Sequence, residues 1–342
     1  MNHWAKMALT WAAVIAMVAA VFAVRYARVQ GLFTPVTALS PGACRSIADG
    51  LQGPGDFAID TPHNAILISA TNRQAGAQDR RDGIYFLKLN DPAAPPVKLA
   101  GTPANFHPGG ISLFRGPDGS ESLTVIDHKS NGQYVVESYG IISDGQTIKL
   151  GQQSFIRSRL LISPHGIATV APDHFYVTND HATTGSPGRF AEDYLLWPHA
   201  DVLLSASAGF RIAAQRIAFP SGILVHNGIL YVAAANERRL IALSIEDFTG
   251  NLTEIGTLFL PAKPGNISAD VAGNLVVAGQ SKPGASQVFR VRLDGKGVPV
   301  SYETLFSDDG HILKGASAAA LWNGRLFISA ADDDKMLDCG LK

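Results

Sequence analysis

The sequence predicts an all-β protein, a six-bladed β-propeller that follows an N-terminal hydrophobic anchor helix. Three observations support this prediction. A long run near the N-terminus carries no charged residue. Beyond residue 44, short apolar strands recur at intervals of about 50 residues, and a repeat of that period is typical of propellers. The same region lacks helical periodicity of useful length, so we expect no helices there.

The N-terminal element is predicted to be a membrane anchor. Residues Ala8 to Val24 carry no charge, with Lys6 before them and Arg25 and Arg28 after them. The hydrophobic core of a signal peptide has the same features. No small-residue cleavage motif follows, however, so we expect the segment to be retained as an uncleaved anchor.

This interpretation divides the chain into a signal anchor over residues 1–28, a linker over 29–43 and a propeller over 44–342. We place the propeller outside the cytoplasm, in the periplasm or extracellular space, either membrane-anchored or secreted. The two cysteines support that placement because Cys44 and Cys339 lie near opposite ends of the propeller region. In an exported protein a bridge between them is expected, and two free thiols are the alternative.

Six similar strands form the repeat in the propeller region. Each is a short apolar run that ends in a polar or small residue; the six are Ile66–Ala70, Leu123–Asp127, Phe175–Asn179, Leu230–Ala234, Leu275–Gly279 and Leu326–Ala330. Blades of about four strands explain their spacing, and a pair of irregular β-sandwiches is the alternative. The first and last strands of a propeller usually share one blade, which a bridge from Cys44 to Cys339 would lock.

The charge balance excludes a nucleic-acid partner. The chain has 28 Lys and Arg against 29 Asp and Glu, a formal net charge of −1, whereas nucleic-acid-binding domains carry a basic excess. The sequence contains no G-x-S-x-G, H-E-x-x-H or P-loop motif. We therefore expect a small-molecule partner, and contact with a membrane through the N-terminal segment.

Acidic and amide residues follow or flank several of the apolar runs, namely Asp56, Asp127, Asn179, Asp180 and Asn266. In a propeller such strand ends converge on the central channel. Hard oxygen ligands there would suit Ca²⁺, which takes about 6–8 oxygens. Asx residues that only cap strands and form turns are the alternative.

Seven stretches of the chain resemble the paraoxonase/arylesterase family of six-bladed propellers, which are relatives of the gluconolactonase-type proteins. The stretches are Gly53–Ile59, Phe106–Phe114, Ala171–His181, Phe219–Ile223, Gly265–Ile267, Asp308–Gly315 and Leu337–Cys339. The resemblance covers roughly residues 44–341. It implies calcium in the channel and hydrolysis of lactones, aryl esters and some organophosphates. It also implies a retained N-terminal segment and a disulfide between Cys44 and Cys339.

The resemblance assigns an inner, structural calcium to Asp56, Asp180 and the main-chain oxygen of Ile111. All three positions keep the residue that the family has there. The family also has a histidine pair that is proposed to activate water. Its second member falls on His128, which we predict to be catalytic, whereas the first falls on Gly109.

The outer, catalytic calcium position is changed. The family's ligands fall on Gly55, Asn179, Ser221, Gly265 and Asn266, and both carboxylates are lost. Calcium affinity falls with the charge of the ligand set. We therefore expect one bound calcium rather than two, with Asn179, Asn266 and Ser221 as the remnant of the outer site, and little calcium-dependent hydrolysis.

Two other histidines resemble the missing one. Pro164–Ile167 spells P-H-G-I, but its His165 lies where the family has no catalytic histidine, and His107 precedes Gly109 by two residues, where it is expected on the other side of a strand. Three functions stay open. They are a remodelled hydrolase of lactones or aryl esters, a propeller that only binds an apolar ligand, and a propeller of different chemistry like the strictosidine synthase-like proteins.

Overall fold

The computed structural model describes residues 3–73, 81–144, 147–206, 209–247 and 249–341. Within them the chain forms one N-terminal helix and six four-stranded antiparallel sheets arranged as a β-propeller. The helix, α1, spans His3–Val29, and the first strand, β1, spans Cys44–Ile47. The predicted all-β propeller with an N-terminal apolar helix is confirmed.

Five blades are each built from four consecutive strands, which run in order from the channel outwards. Blade 1 contains β2 (Pro54–Asp60), β3 (Ala65–Ala70), β4 (Gly83–Lys88) and β5 (Val97–Lys98). Blade 2 contains β6 (Pro108–Arg115), β7 (Glu121–His128), β8 (Tyr134–Ser143) and β9 (Ile148–Ile156). Blade 3 contains β10 (Pro164–Ala171), β11 (His174–Asn179), β12 (Ala200–Ala206) and β13 (Gly209–Ile217), with the helix α2 (Ser186–Tyr194) between β11 and β12.

The remaining blades follow the same plan. Blade 4 contains β14 (Pro220–His226), β15 (Ile229–Ala234), β16 (Arg239–Ile245) and β17 (Leu252–Phe259), with a 3₁₀ turn at Ala235–Glu237. Blade 5 contains β18 (Lys263–Ala269), β19 (Leu275–Gln280), β20 (Ser286–Leu293) and β21 (Pro299–Asp308). Blade 6 contains β22 (Ala316–Trp322), β23 (Arg325–Ala330) and β24 (Met336–Gly340), and β1 is its outermost strand.

The six apolar runs of the sequence are the second strands of the six blades: β3, β7, β11, β15, β19 and β23. Both faces of each second strand pack against neighbouring blades, so the run is continuously apolar rather than alternating. In β3, for example, every residue from Ala65 to Ala70 is buried. This double burial is the reason that the repeat is visible in the sequence.

The propeller closes by pairing its first and last strands. In β1 and β24, Cys44 lies directly opposite Cys339, and a disulfide joins the two residues across a sequence separation of 295. Arg45 and Arg325 both form ion pairs with the buried carboxylate of Asp338 in the same blade. The predicted closure is therefore present in the structure, with covalent and ionic links in one sheet.

The helix α2 was not expected from the sequence. It is short, and apolar residues lie on a single face, of which Phe190 and Tyr194 remain exposed. Its Tyr194 ring stacks on Tyr26 of α1, with ring centroids 5.2 Å apart. The end of α1 is also held by Arg238, which donates a 2.9 Å hydrogen bond to the carbonyl oxygen of Val29.

Among the described residues, α1 is the one helix long and apolar enough to cross a membrane. Its most apolar 18-residue window has a mean hydropathy of 2.4, and no part of that window is buried. A signal sequence near an N-terminus meets the same criterion. Between α1 and β1, Leu39 pairs with Ser307 of β21 through two main-chain hydrogen bonds.

Close contacts between glycines and neighbouring inner strands set the width of the channel. A β-carbon on Gly222 of β14 would lie 2.3 Å from the carbonyl oxygen of Gly265 in β18. Gly110 and Gly166 meet the next inner strand in the same way, at 2.4 Å from the His165 oxygen and 2.5 Å from the Ser221 oxygen. The inner strands therefore approach each other at positions that have no room for a side chain.

The substitution Gly222→Ala is expected to lower the free energy of unfolding by about 1–3 kcal/mol, a usual cost of overpacking. The atoms that the new methyl group would meet belong to the backbone, so none of them can rotate away. Gly140→Ala is the matched control, because Gly140 also lies in a strand and an added β-carbon there has nothing within 4 Å. Urea unfolding of both variants tests this, and equal midpoints would contradict it.

Candidate functional site

Six equivalent positions form a ring around the channel. Each inner strand begins with a β-bulge, seen as a break in its register with the second strand. A proline or alanine precedes the ring position in every blade, and the six ring residues are Gly55, Gly109, His165, Ser221, Gly265 and Ser317. All but Gly109 line a single cavity of about 450 Å³ at one end of the channel. A bulge re-aims side chains, and in five of the six inner strands it lies beside the cavity.

Two histidines lie beside this cavity in neutral form. Burial, together with the positive charge of Arg73, lowers the pKa of His128 to about 4. Burial likewise lowers the pKa of His165, and its Nδ1 atom is buried with no hydrogen-bond partner within the described ranges. The His128 ring leans over Gly109, because a β-carbon on that glycine would lie 2.6 Å from the His128 Nε2 atom. Both imidazoles are therefore uncharged at neutral pH, and the lowered pKa makes each a weaker base than a free imidazole.

Arg73 brings a positive charge to the same end of the channel. Its side chain lines the cavity, and a β-carbon on Gly55 would lie 3.9 Å from the Arg73 Nη2 atom. Arg73 forms no ion pair in the part of the chain that the structure describes. Gly55 is the position where the resemblance expects a carboxylate ligand of the outer calcium. The charge beside that position is thus a guanidinium instead of a metal-binding carboxylate.

The predicted remnant of the outer calcium site consists of Asn179, Ser221 and Asn266. The Oδ1 atom of Asn179 accepts hydrogen bonds from two backbone amides, and its Nδ2 atom donates to Leu160 and to Asp201. Ser221 donates to the carbonyl oxygen of Pro264 at 2.8 Å. Asn266 lines the cavity. Two of the three side chains therefore already form hydrogen bonds within the protein, so the three residues do not fit a second calcium.

Gly265, the other lost carboxylate position, is also unsuited to a ligand. A β-carbon there would lie 2.8 Å from the carbonyl oxygen of Ser317, which belongs to the backbone of the next blade. An aspartate at this position would therefore require a shift of the inner strand. Together with the Arg73 guanidinium, this packing opposes an outer cation.

The predicted inner calcium set lies at the junction of blades 1, 2 and 3. Asp56 accepts hydrogen bonds of 2.9 Å from the backbone amides of Phe57 and Ile111. Even so, burial raises the pKa of Asp56 to about 7, and no cationic side chain in the described ranges pairs with it. A buried carboxylate without a counter-charge is costly. Asp56 thus has the property expected of a cation ligand.

The other two inner positions are placed differently. Asp180 pairs with His181, whose Nδ1 atom lies 2.7 Å from the Asp180 Oδ1 atom. Burial acts to raise the pKa of Asp180, but its hydrogen bonds with His181 and Ser163 lower it overall. Ile111 presents its amide, not its carbonyl, to Asp56. Two carboxylates suit one hard cation in ligand type, and the ligand set itself stays a prediction.

A separate acidic cluster lies at the far end of the inner strand of blade 1. Asp60, His63 and Glu121 place their ligand atoms close enough together to hold a metal. Arg115, however, pairs with both carboxylates, and His63 pairs with Asp60 at 2.7 Å and with Glu121 at 3.0 Å. Because Arg115 already neutralises much of the charge, this cluster is an ion-pair network between blades 1 and 2.

A family profile described as arylesterase matches residues 36–341. The chain belongs to the arylesterase family. It is 26% identical over 304 residues to serum paraoxonase/lactonase 3 of Oryctolagus cuniculus, covering 84% of this chain and 80% of that protein. Serum paraoxonase/arylesterase 2 of Homo sapiens is 26% identical over 303 residues, with coverage of 84% and 80%. The arylesterase-family resemblance of the motifs is confirmed.

Solved structures support the fold of this arylesterase-family chain. The PQQ-bound aldose sugar dehydrogenase of Streptomyces coelicolor superposes on it with a TM-score of 0.58 at 13% identity. The match covers 90% of this chain and 100% of that chain. At this level of identity the likeness concerns the propeller alone.

Sequence reasoning missed two members of the arylesterase-family channel. The motif comparison gives His165 no catalytic role, yet it occupies in blade 3 the ring position that Gly109 occupies in blade 2. A signal exists in the sequence, because Pro-x-Gly-Ile begins the inner strand in three consecutive blades, at Pro108, Pro164 and Pro220. Arg73 has no comparable signal, since it lies in a loop beyond β3.

Proposed function

We propose that this protein is a membrane-tethered, extracytoplasmic hydrolase of lactones or aryl esters that works in the channel without the outer calcium. The observation that carries the proposal is the cavity of about 450 Å³ that Arg73 and His165 line together. A fixed positive charge next to a neutral base is the pairing that hydrolysis of a carbonyl compound requires. The printed names of the relatives, a lactonase and an arylesterase, point to the same substrate classes.

In the proposed reaction the substrate carbonyl oxygen faces the Arg73 guanidinium. His165 takes a proton from water, and the resulting hydroxide adds to the carbonyl carbon. The ester C–O bond then breaks, and the leaving alkoxide receives the proton from His165. Arg73 stabilises the negative oxygen that forms in between. His128, the catalytic residue predicted from the sequence, does not line this cavity; its ring lies over Gly109, the ring position of the neighbouring blade, and would serve there as the second neutral base.

Calcium at the inner position would supply positive charge to Asp56 and Asp180. Asp56 lies in blade 1 and Asp180 directly follows the second strand of blade 3, while the amide of Ile111 in blade 2 contacts Asp56. The chain's own contribution is to place both carboxylates, each partly exposed, near the channel. We therefore assign the inner ion a structural role.

The channel proposal predicts that hydrolysis survives chelation and depends on Arg73 and His165. With full-length protein in detergent, phenyl acetate and γ-butyrolactone should be hydrolysed at the same rate with and without EDTA. His165→Gln should reduce kcat on the order of 10²-fold, the usual contribution of a general base. Arg73→Gln should reduce it by about 10-fold or more.

Two exposed residues that do not line the cavity supply matched controls. Arg292→Gln and His311→Gln change the same side-chain types on the outer surface. Activity that disappears with EDTA while the protein remains folded, or channel variants that behave like these controls, would contradict the proposal.

A non-catalytic binding propeller is the second candidate. It is favoured by the commitment of Asn179 and Ser221 to hydrogen bonds within the protein. A strictosidine synthase-like chemistry would share that feature. Tight binding of an intact lactone or other apolar ligand to the cavity, with no hydrolysis of either substrate, would support this candidate over the first.

The membrane part of the proposal rests on α1 and the disulfide. The end of α1 adjoins the channel cavity, because Tyr26 and Gln30 line it and Gln30 accepts a 2.9 Å hydrogen bond from Lys263. An anchored propeller would thus open its cavity near the membrane surface. We expect the full chain to fractionate with membranes and to resist carbonate extraction; release by carbonate would contradict the anchor.

A further inference from the structure

Outside the channel, three side chains are connected as a hydrogen-bonded relay. The Ser130 Oγ atom lies 2.8 Å from the Nε2 atom of His107, and the His107 Nδ1 atom lies 2.6 Å from the Oδ2 atom of Asp82. We propose that Ser130, His107 and Asp82 form a second hydrolytic site, with Ser130 as its nucleophile. The proposal does not rest on the function proposed for the channel.

For a neutral imidazole, the two hydrogen bonds of His107 imply a single tautomer. An ionised carboxylate only accepts hydrogen bonds, so the His107 Nδ1 atom carries the proton and donates to Asp82. The Nε2 atom is then the acceptor, and the hydroxyl of Ser130 donates to it. This is the arrangement in which an imidazole can take the proton of a serine during nucleophilic attack.

The relay is held rigidly at the histidine and the aspartate. Asp82 is buried and also accepts a 2.8 Å hydrogen bond from the backbone amide of Asn72. The backbone amide of His107 donates to Asp127 at 2.9 Å, and its carbonyl accepts from the His128 amide at 3.0 Å. His107 is therefore fixed from both sides of its backbone and by its ring. Asp82 acts as a positioning residue.

The nucleophile, in contrast, is accessible. Ser130 is exposed at the tip of the turn between β7 and β8, and it borders a cleft of about 390 Å³. The cleft also includes Lys98 and Phe106, and it shares no lining residue with the channel cavity. A substrate in the cleft can therefore reach the exposed hydroxyl of Ser130, which is hydrogen-bonded to the buried base His107.

Two donors for a developing oxyanion lie near Ser130, one on the next residue of the chain and one in the cleft. The backbone amide of Asn131, the residue after the nucleophile, has no acceptor in the described part of the chain. That amide contributes to the oxyanion hole in other serine hydrolases. Lys98 adds a positive charge, with its Nζ atom 2.6 Å from the carbonyl oxygen of Asp82. The volume and the apolar wall at Phe106 suit a small ester with a short acyl group.

The reaction would proceed through an acyl-serine. The Ser130 oxygen bonds to the substrate carbonyl carbon while its proton passes to His107, and the alcohol leaves after taking that proton as the C–O bond breaks. Water then adds to the acyl carbon and gives its proton to His107. The acid leaves as the bond to Ser130 breaks, and the proton returns to the serine oxygen.

A fluorophosphonate probe tests the proposal directly. The activated serine displaces fluoride from phosphorus, so the protein gains one phosphonyl group and His107 receives the serine proton. Intact-mass and peptide analysis of the full-length protein should show a single adduct at Ser130. Ser130→Ala should abolish the adduct. Ser120→Ala is the matched control, because Ser120 is an exposed serine at a hairpin tip of the same blade whose hydroxyl donates only to Asp118.

The relay itself is tested by the rate of labelling. His107→Gln should slow the reaction on the order of 10²-fold. Asp82→Asn preserves the shape of the side chain, but its amide would donate a hydrogen bond to the His107 Nδ1 atom and so reverse the tautomer of His107. This variant should therefore also slow labelling. Asp82→Glu keeps a carboxylate and should label faster than Asp82→Asn. The absence of any adduct, or an adduct that survives Ser130→Ala, would overturn the proposal. Asp82→Asn and His107→Gln variants that melt normally and label at the wild-type rate would do so as well, leaving the three residues a structural link between loops.

Discussion

Replacing both cysteines with serine is expected to lower the free energy of unfolding by about 4–5 kcal/mol, because the stabilisation that a disulfide gives through the unfolded state grows with loop length. The Cys44–Cys339 bridge closes a loop with a sequence separation of 295. The bridge also holds β1, a strand of only four residues, against the edge of blade 6. Without it, the closure of the ring depends on the pairing of that short strand, the Arg45–Asp338 ion pair and the apolar packing around Ile47.

Denaturant unfolding of the double variant and of the wild type, each with and without reductant, measures this effect. Reductant should destabilise the wild type to the level of the variant and leave the variant unchanged, which makes the variant its own control. Non-reducing peptide mapping should also recover Cys44 and Cys339 as a linked pair. An unfolding midpoint that neither the substitutions nor the reductant alter would contradict the role assigned to the bridge.

The second large effect concerns Asp56, whose pKa is raised to about 7 by burial. The ordinary pKa of an aspartate is 3.8, so the folded protein holds a proton that the unfolded chain releases between these pH values. Stability in the presence of chelator should therefore fall as the pH rises from about 4 to about 7, and the loss contributed by this group is up to about 4 kcal/mol. Calcium should reverse this loss, because it binds the ionised form in the folded state only.

Asp56→Asn separates this group from the others that titrate in the same range. In EDTA the variant should lack the loss of stability that the wild type shows between about pH 4 and pH 7, and at about pH 8 calcium should no longer raise its melting temperature. Asp173→Asn, which changes an exposed aspartate in a turn, is the matched control and should do neither. A wild type that melts at the same temperature with calcium and with EDTA under these conditions would contradict the assignment of Asp56 as a ligand.

The sequence predicted the strands whose side chains are buried on both faces of the sheet. The second strand of each blade is apolar on both faces, so it stands out at a fixed period. The inner strands β6, β10 and β14 are less apolar because one side borders the channel, and their shared Pro-x-Gly-Ile start gives a weaker repeat. The helix α2 was missed because nine residues with a single apolar face give little periodicity.

The candidate site was predictable in residue type but not in side-chain direction. Asn179 carries an amide oxygen of the kind that binds calcium, but in the fold this oxygen accepts hydrogen bonds from the backbone amides of Ile162 and Ser163. His107 and Ser130 lie far apart in the sequence, and only the packing of blade 2 brings them within 2.8 Å. Such orientations depend on tertiary contacts between strands and loops, which local sequence patterns do not encode.

We propose that this arylesterase-family propeller keeps the inner cation position and that Arg73 and small neutral residues have replaced the outer one. The number of calcium ions bound per chain is the most direct test of this proposal. Equilibrium dialysis of the purified, chelator-treated full-length protein against calcium should give one tightly bound ion per chain, and none in Asp56→Asn. Two tightly bound ions in the unmodified protein would contradict the proposed replacement of the outer site, and the absence of any bound ion would contradict the inner one.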